Sequence, residues 1–226
     1  MTLEIHLMLQ SDATFGRGDG VAGLVDAEVE HDTTTGLPFL RARSLKGLLV
    51  EECANILFSL EQQKVPGLNK LQDAAKFLFG QAGSTLNDDA LMHIGAAMLP
   101  KELRDAVKAD VEAERLNSAE VLESLTAIRR QTAVNDETGA PDEGSLRSLR
   151  VVLRETPFVA RLDFDKDPDS DVLALLAACV MSLRRTGTGR NRGRGRLSAR
   201  LYNEQGKDIT VMPHFAYFRQ LVERAK

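Results

Sequence analysis

Between Arg184 and Arg196, thirteen residues hold six arginines and four glycines. An arginine guanidinium is a planar fork of donors that matches phosphate oxygens and stacks on bases. Glycine lets the main chain approach a ligand closely and adopt conformations closed to residues with a Cβ. The pairing points to a polyphosphate partner. Arg41, Arg43 and Lys46 form a second cluster at the start of an apolar helical run. Cations there oppose the helix macrodipole, and an anionic ligand meeting the free N–H groups would resolve the conflict. A third stretch, Ser11 to Gly23, carries Gly16, Gly18, Gly20 and Gly23 around Arg17 and Asp19, too much glycine for regular structure. The competing readings are a flexible exposed loop and solvated surface cations.

The elements around these stretches decide between the readings. Leu3, Ile5, Leu7 and Leu9 alternate with polar residues, the period of a half-buried first strand, which leaves His6 as a surface imidazole. His31 to Gly36 reads as a turn, and Leu37-Pro38-Phe39-Leu40 runs extended. Leu45, Leu48, Leu49, Cys53, Ile56, Leu57 and Leu60 recur at helical spacing, with Ser44 as the expected N-cap. A short helix is expected over Leu71 to Phe79, a loop over Gly80 to Asn87 and a buried strand over Leu91 to Leu99. Pro100 opens a further helix, and Ser118 is placed to cap the next.

The polar segment Arg129 to Arg150 reads as a projecting hairpin with an acidic tip. Arg129, Arg130, Arg147, Arg150 and Arg154 give it a basic base. Phe158 to Phe164 alternates as a strand, and Asp169 caps an almost wholly apolar helix that ends at Leu183. Leu197, Ala199 and Leu201 then alternate as a last core strand, and Phe215, Phe218 and Val222 form a terminal helical face. The Arg/Gly stretch is therefore framed by a buried helix and a core strand, which a disordered segment would not be. Strand, helix, strand, insertion, strand, helix, strand is a βαββαβ plan. The expected fold class is α+β, a ferredoxin-like (RRM-like) domain over residues 1–226, with residues 129–150 as a thumb hairpin.

The totals narrow the function. With 29 basic and 33 acidic residues the chain is net negative, so nucleic-acid binding must be confined to a local basic groove. Cys53 and Cys179 lie in apolar helical patterns and read as reduced core thiols. No spacing typical of an all-protein zinc or calcium site occurs. Without a signal peptide or an apolar run of about 18 residues, a soluble cytoplasmic protein with no membrane partner is expected.

Two segments carry a resemblance to a known family: Thr35-Gly36-Leu37-Pro38-Phe39-Leu40-Arg41-Ala42-Arg43-Ser44-Leu45-Lys46-Gly47 and the glycine loop Gly187 to Gly195. With the first strand, the early glycine loop and the mid-chain hairpin in the same order, the chain resembles the RAMP superfamily. More narrowly, it is similar to the repeated backbone subunit of type III CRISPR RNA-guided effector complexes. Where the family usually has Ile-Pro-Gly-Ser before Ser-Leu-Lys-Gly, this chain has Leu40-Arg41-Ala42-Arg43, which adds charge.

The resemblance implies a palm that grips guide RNA and a thumb inserted into the guide–target duplex. It also implies stacking with other RAMP subunits into a filament, beside other effector-complex subunits. The RNA-binding residues it implies are Arg17, Arg41, Arg43, Ser44, Lys46, Arg129, Arg130, Gly187, Gly189, Arg190, Arg192, Gly193 and Arg194. In cleaving members an aspartate ahead of the basic turn serves to cut target RNA, and Asp26 is the matching position. Asp19 and His31 are the fallback candidates. The implied chemistry is attack of a ribose 2′-hydroxyl on the adjacent phosphodiester with a divalent metal, Mg²⁺, held by Asp26 and by oxygens of the RNA.

Two rivals within the superfamily stay open: a non-cleaving filament subunit, and a metal-independent guide-processing RNase with a His or Tyr base. A nucleotide-binding enzyme is disfavoured, because the glycine loop lacks a Gly-Lys-Ser/Thr ending and precedes a strand rather than a helix.

Overall fold

The computed structural model describes residues 1–21, 24–81, 90–133, 135, 137–140, 142 and 144–223. Four strands make the main sheet: β1 (Thr2–Leu9), β2 (Met92–Ile94), β5 (Pro157–Phe164) and β6 (Leu197–Asn203). They run antiparallel in the order β2-β5-β1-β6. Numbered among themselves, that order is second, third, first, fourth, the ferredoxin-like arrangement, and the architecture is α+β as expected. A separate two-stranded sheet pairs β3 (Thr126–Gln131) with β4 (Arg147–Val152), which is the projecting hairpin.

The period-2 pattern sorts the two faces of the sheet. Leu3 of β1 lies opposite Leu162, Ile5 opposite Ala160 and Leu201, and Leu7 opposite Phe158 and Ala199, so one face is apolar up to its edge, where Leu3 meets half-buried Asn203. Helices α1 (Ala42–Gln62), α2 (Leu68–Phe79) and α5 (Ser170–Ser182) cover that face. Nine consecutive residues of α5, Val172 to Val180, are buried, because the helix meets α1, α2, β6 and α6 (Ala216–Glu223) on different sides. Each fully buried aliphatic side chain there stabilises the fold by about 1.5–3 kcal/mol. Asp169 caps α5 by accepting from the Val172 N–H at 2.9 Å. Cys53 of α1 and Cys179 of α5 are free and buried. Their mutual hydrogen bond, then burial, holds the Cys179 thiol well above the ordinary range. On the opposite face His6 is part-exposed and stacks on Tyr202 with ring centroids 4.1 Å apart.

Three local expectations are corrected. Helix α1 starts at Ala42 with Arg41 at the N-cap and no side-chain cap, so Ser44 lies inside the first turn. Helix α4 (Ser118–Leu125) is capped by Asn117, not Ser118: the Asn117 side chain accepts from the Glu120 N–H, and the Glu120 carboxylate accepts from the Asn117 N–H. The strand expected over Leu91 to Leu99 breaks after Ile94. Ile94 pairs with Leu162 and Met98 with Val159, four steps against three, a bulge beside Gly95. Ala97 then turns to pair with Leu40.

Helix α3 (Lys101–Glu112) borders the open sheet face with Val107 and Val111 half-buried. Most of the loop expected over 80–87 and part of the hairpin tip fall outside the described residues.

Candidate nucleic-acid interface

Where α5 ends, the chain enters the Arg/Gly loop, closed at its neck by a bridge between Arg185 and Arg196 and carrying one 3-10 turn at Arg190–Arg192. The loop is seated on the segment after β1. Thr188 N–H donates to the Thr14 carbonyl at 3.1 Å, Gly195 N–H to the Asp12 carbonyl at 2.8 Å, and Thr186 N–H to the Gly195 carbonyl at 2.8 Å. Two glycines make this possible. A Cβ at Gly187 (φ +73°) would sit 2.5 Å from the Thr14 carbonyl oxygen, and one at Gly195 (φ +69°) 1.8 Å from that of Thr186. Gly189 and Gly193 also have positive φ but face open space or only the Arg194 side chain.

The start of α1 meets this loop. At about 100° per residue, positions 41, 44 and 48 share one helix face while 42, 43 and 46 share another. Arg41, Ser44 and Leu48 accordingly line a cavity of about 330 Å³ with Thr14, Phe15, Gly16, Gly18, Glu30, Leu40, Thr186, Gly187, Thr188 and Arg190. Arg43 and Lys46 line a different recess of about 220 Å³ beside His93 of β2. The expected cluster is thus divided: Arg41 and Ser44 join Gly187 and Arg190 in one cleft, and Arg43 and Lys46 do not. Arg192, exposed, and Arg194, half-buried, project from the loop itself. Arg184, Arg185 and Arg196 border a third cleft with Arg200 along β6.

Several of these cations already have acidic partners. Arg41 is in ion-pair contact with Glu30, and Arg190 with Glu51 of α1 at 3.1 Å. The carboxylate of Glu30 thereby relieves part of the cation–macrodipole conflict at the start of α1. Arg17 pairs with Asp19 at 3.4 Å. Arg129 is forked onto Asp12 Oδ2 at 3.0 and 2.8 Å.

Arg150, expected in the basic base of the hairpin, is instead buried. It pairs with buried Glu28 at 2.9 Å and donates to the Thr126 hydroxyl at 3.2 Å. The exposed charge of the hairpin base is therefore Arg130, Arg147 and Arg154 together with the pinned Arg129.

The hairpin is held by the two early loops. Val152 N–H donates to the Ala13 carbonyl at 2.7 Å, Arg150 N–H to that of Ala27 at 3.0 Å, and Asp26 N–H to that of Ser148 at 2.8 Å. Asp26 is exposed, and its Oδ2 accepts from the Ser148 N–H at 2.6 Å. The structure thus brings Asp26 to the flank of β4. The fallback Asp19 holds Arg17, and His31 Nδ1 donates to the Val29 carbonyl at 3.0 Å. Among the described residues no three His, Cys, Asp or Glu side chains cluster as metal ligands. One exposed carboxylate is no cage. It fits the habit of Mg²⁺, which takes one or two carboxylates, keeps waters and draws its remaining oxygens from phosphate.

Sequence reasoning missed Thr14, Glu30, Glu51 and Thr186. Thr186 and Thr188 interleave with the glycines and could have been found there. Glu30 and Glu51 carried no local signal, because their arginine partners are close only in the fold.

The model of the RAMP superfamily matches residues 15–198, well over half of the chain. The chain belongs to the RAMP superfamily. No curated protein matches it by sequence. Among solved structures, a cryo-EM structure of the Type III-B Cmr-beta bound to cognate target RNA contains a chain of similar fold, with TM-score 0.62 and 14% identity. The match covers 89% of this chain and 97% of that one. The apo state of Type III-B Cmr-beta gives a TM-score of 0.62 at 14% identity over 90% and 98% of the two chains.

Proposed function

We propose that this chain is a guide-RNA-binding backbone subunit of a type III CRISPR effector complex. The observation that carries the proposal is the cleft in which the start of α1, the Gly16–Gly18 loop and the Arg/Gly loop converge, with Arg41 and Arg190 at its wall. Forked guanidinium groups and closely approaching glycine backbone suit a ribose-phosphate chain of any sequence, as a guide requires. The fold shared with chains of Cmr-beta supports placing the subunit among other effector subunits. Stacking with its relatives as a filament is part of the same proposal.

In the same reading, the β3–β4 hairpin enters the guide–target duplex and displaces a nucleotide, so that a target ribose lies beside Asp26. Stacked duplex resists in-line attack, and displacement supplies the alignment. The 2′-oxygen then attacks the adjacent phosphorus to form a 2′,3′-cyclic phosphate, its proton passes to the Asp26 carboxylate or through it to water, and the P–O5′ bond breaks as the 5′-oxygen takes a proton from water. A divalent cation, held by Asp26 and RNA oxygens, would neutralise charge at the phosphate.

The alternative within the family is a subunit that holds guide RNA but does not cut. The observation in its favour is that, among the described residues, Asp26 belongs to no cluster of three metal-ligating side chains. Asp26→Ala in the assembled complex separates the two: loss of one target cut with target binding retained supports cleavage, and unchanged cutting removes Asp26 from the chemistry. The guide-binding reading is tested by isolating the native assembly through this chain and sequencing its RNA. Guides of uniform length are expected; absence of RNA, or random fragments, would contradict it.

A further inference from the structure

The face of the main sheet opposite α1, α2 and α5 holds a cavity of about 790 Å³, bordered on one side by the start of α3. Strand register sets its floor. Glu4, His6 and Met8 of β1 lie opposite Tyr202, Arg200 and Ser198 of β6, and opposite Arg161, Val159 and Pro157 of β5 on the other side. His6 therefore stands between Arg200 and Val159. Its imidazole stacks on the diagonal Tyr202 ring, with centroids 4.1 Å apart and planes 26° from parallel, and its Nε2 is tied to Glu4 Oε2 at 2.8 Å. Among the described residues neither ring stacks on a third, so each keeps one face unstacked.

Ser198 and Arg200 line both this cavity and the cleft of Arg184, Arg185 and Arg196, so one continuous surface runs from the neck of the Arg/Gly loop along β6 to the aromatic pair. No acidic side chain lines the arginine cleft. Around the cavity, Arg161 is held by Asp163, Lys101 by Asp105 and Arg104 by the Leu99 carbonyl. Arg200, exposed and directly opposite His6, is in no ion pair among the described residues. Cations without acidic neighbours call for a ligand with spaced anions, and an aromatic pair calls for one with planar rings. A charged groove leading to aromatic side chains on which bases stack is how single-stranded nucleic acid is held without regard to sequence. We propose that an unpaired nucleotide of the RNA strand held by the Arg/Gly loop stacks its base on the His6–Tyr202 pair, with its phosphate on Arg200. The inference rests on the guide-binding reading and carries the strand beyond the cleft at α1 onto the open sheet face.

The chain has no Trp and two tyrosines, Tyr202 and Tyr217, so in a Tyr217→Phe background Tyr202 is the only tyrosine emitter. The test titrates this full chain with a single-stranded RNA and with an abasic strand of the same length, reading Tyr202 emission and, with labelled strands, anisotropy. RNA should quench Tyr202 over the concentrations at which it binds. The abasic strand should bind about tenfold more weakly and leave the emission unchanged. His6→Leu should weaken RNA binding about tenfold while keeping the affinity for the abasic strand and the salt slope, because no phosphate contact is lost. Tyr202→Phe, which keeps a ring, should bind RNA as the natural chain does. Arg200→Ala should make the salt slope shallower by about 0.7.

RNA binding with no change in Tyr202 emission, or full RNA affinity in His6→Leu, would overturn the stacking platform and leave the guide-binding reading standing. Emission that follows protein concentration instead of RNA would overturn it in favour of a contact between copies of the chain. Failure to bind any strand would overturn the guide-binding reading and this one with it.

Discussion

Arginine identity does not say whether a guanidinium is free to meet a ligand, and this chain shows both outcomes. Arg150 and Glu28, 122 residues apart, are both buried and bonded to each other, whereas Arg192 is exposed on its loop. Removing one partner of a buried pair strands the other charge. Arg150→Met is therefore expected to lower stability by about 3–5 kcal/mol, while replacing Arg150 and Glu28 together with apolar residues of similar volume should cost far less. Chemical denaturation of the natural chain and the two variants checks this, and equal losses in the single and double variants would mean that the pair is not the source of the cost. The basic character of Arg129, Arg41 and Arg190 was legible in the sequence. Their acidic partners Asp12, Glu30 and Glu51 were not, because each pair is made by tertiary folding between distant segments.

At the scale of elements, the Arg/Gly loop acts through its seat as much as through its charges. Asp12 joins the two functional elements: its carbonyl accepts from Gly195 of the loop, and its carboxylate holds Arg129 of the hairpin. Gly195→Ala would force a Cβ against the Thr186 carbonyl across the neck of the loop at a positive φ, so the two sides of the neck must part and the Gly195 bond to the Asp12 carbonyl is disturbed with them. Positive φ alone costs a non-glycine residue about 1 kcal/mol, and the clash adds to it. A fall in melting temperature together with a loss of RNA affinity of about tenfold or more is expected. Gly193→Ala, with no atom near its Cβ, should be milder on both counts, and equal effects would argue against the seat.

The glycine-rich composition revealed a loop with close backbone approach. It did not reveal which glycines are sterically required, since that depends on Thr14 and Thr186 being opposite them. The helix period of α1 was equally clear, but its N-cap was read three residues late, at Ser44 instead of Arg41. Arg41 occupies the N-cap without a capping side chain, against the usual preference, and its neighbour Glu30 is invisible to local reading.

At the scale of the whole molecule, strict alternation in β1, β5 and β6 and the uniformly apolar α5 were enough to place the ferredoxin-like sheet and its covered face. The second strand was the exception, because the bulge at Gly95 and the turn of Ala97 toward Leu40 are set by neighbours on both sides. Among the described residues no helix is long and apolar enough to cross a membrane.

A chain of net charge −4 can hold a polyanion only by concentrating its cations. Phosphate contacts release counterions, so the affinity for single-stranded RNA should fall with salt at a slope of about 0.7 per contact. Salt titrations of the natural chain and of the Arg190→Ala/Arg192→Ala/Arg194→Ala variant, with RNAs of unrelated sequence, measure this slope and so ask whether the Arg/Gly loop holds the RNA backbone. If the loop grips the backbone, the variant binds every sequence more weakly and its slope is shallower by about 2. A slope identical to that of the natural chain would contradict the account.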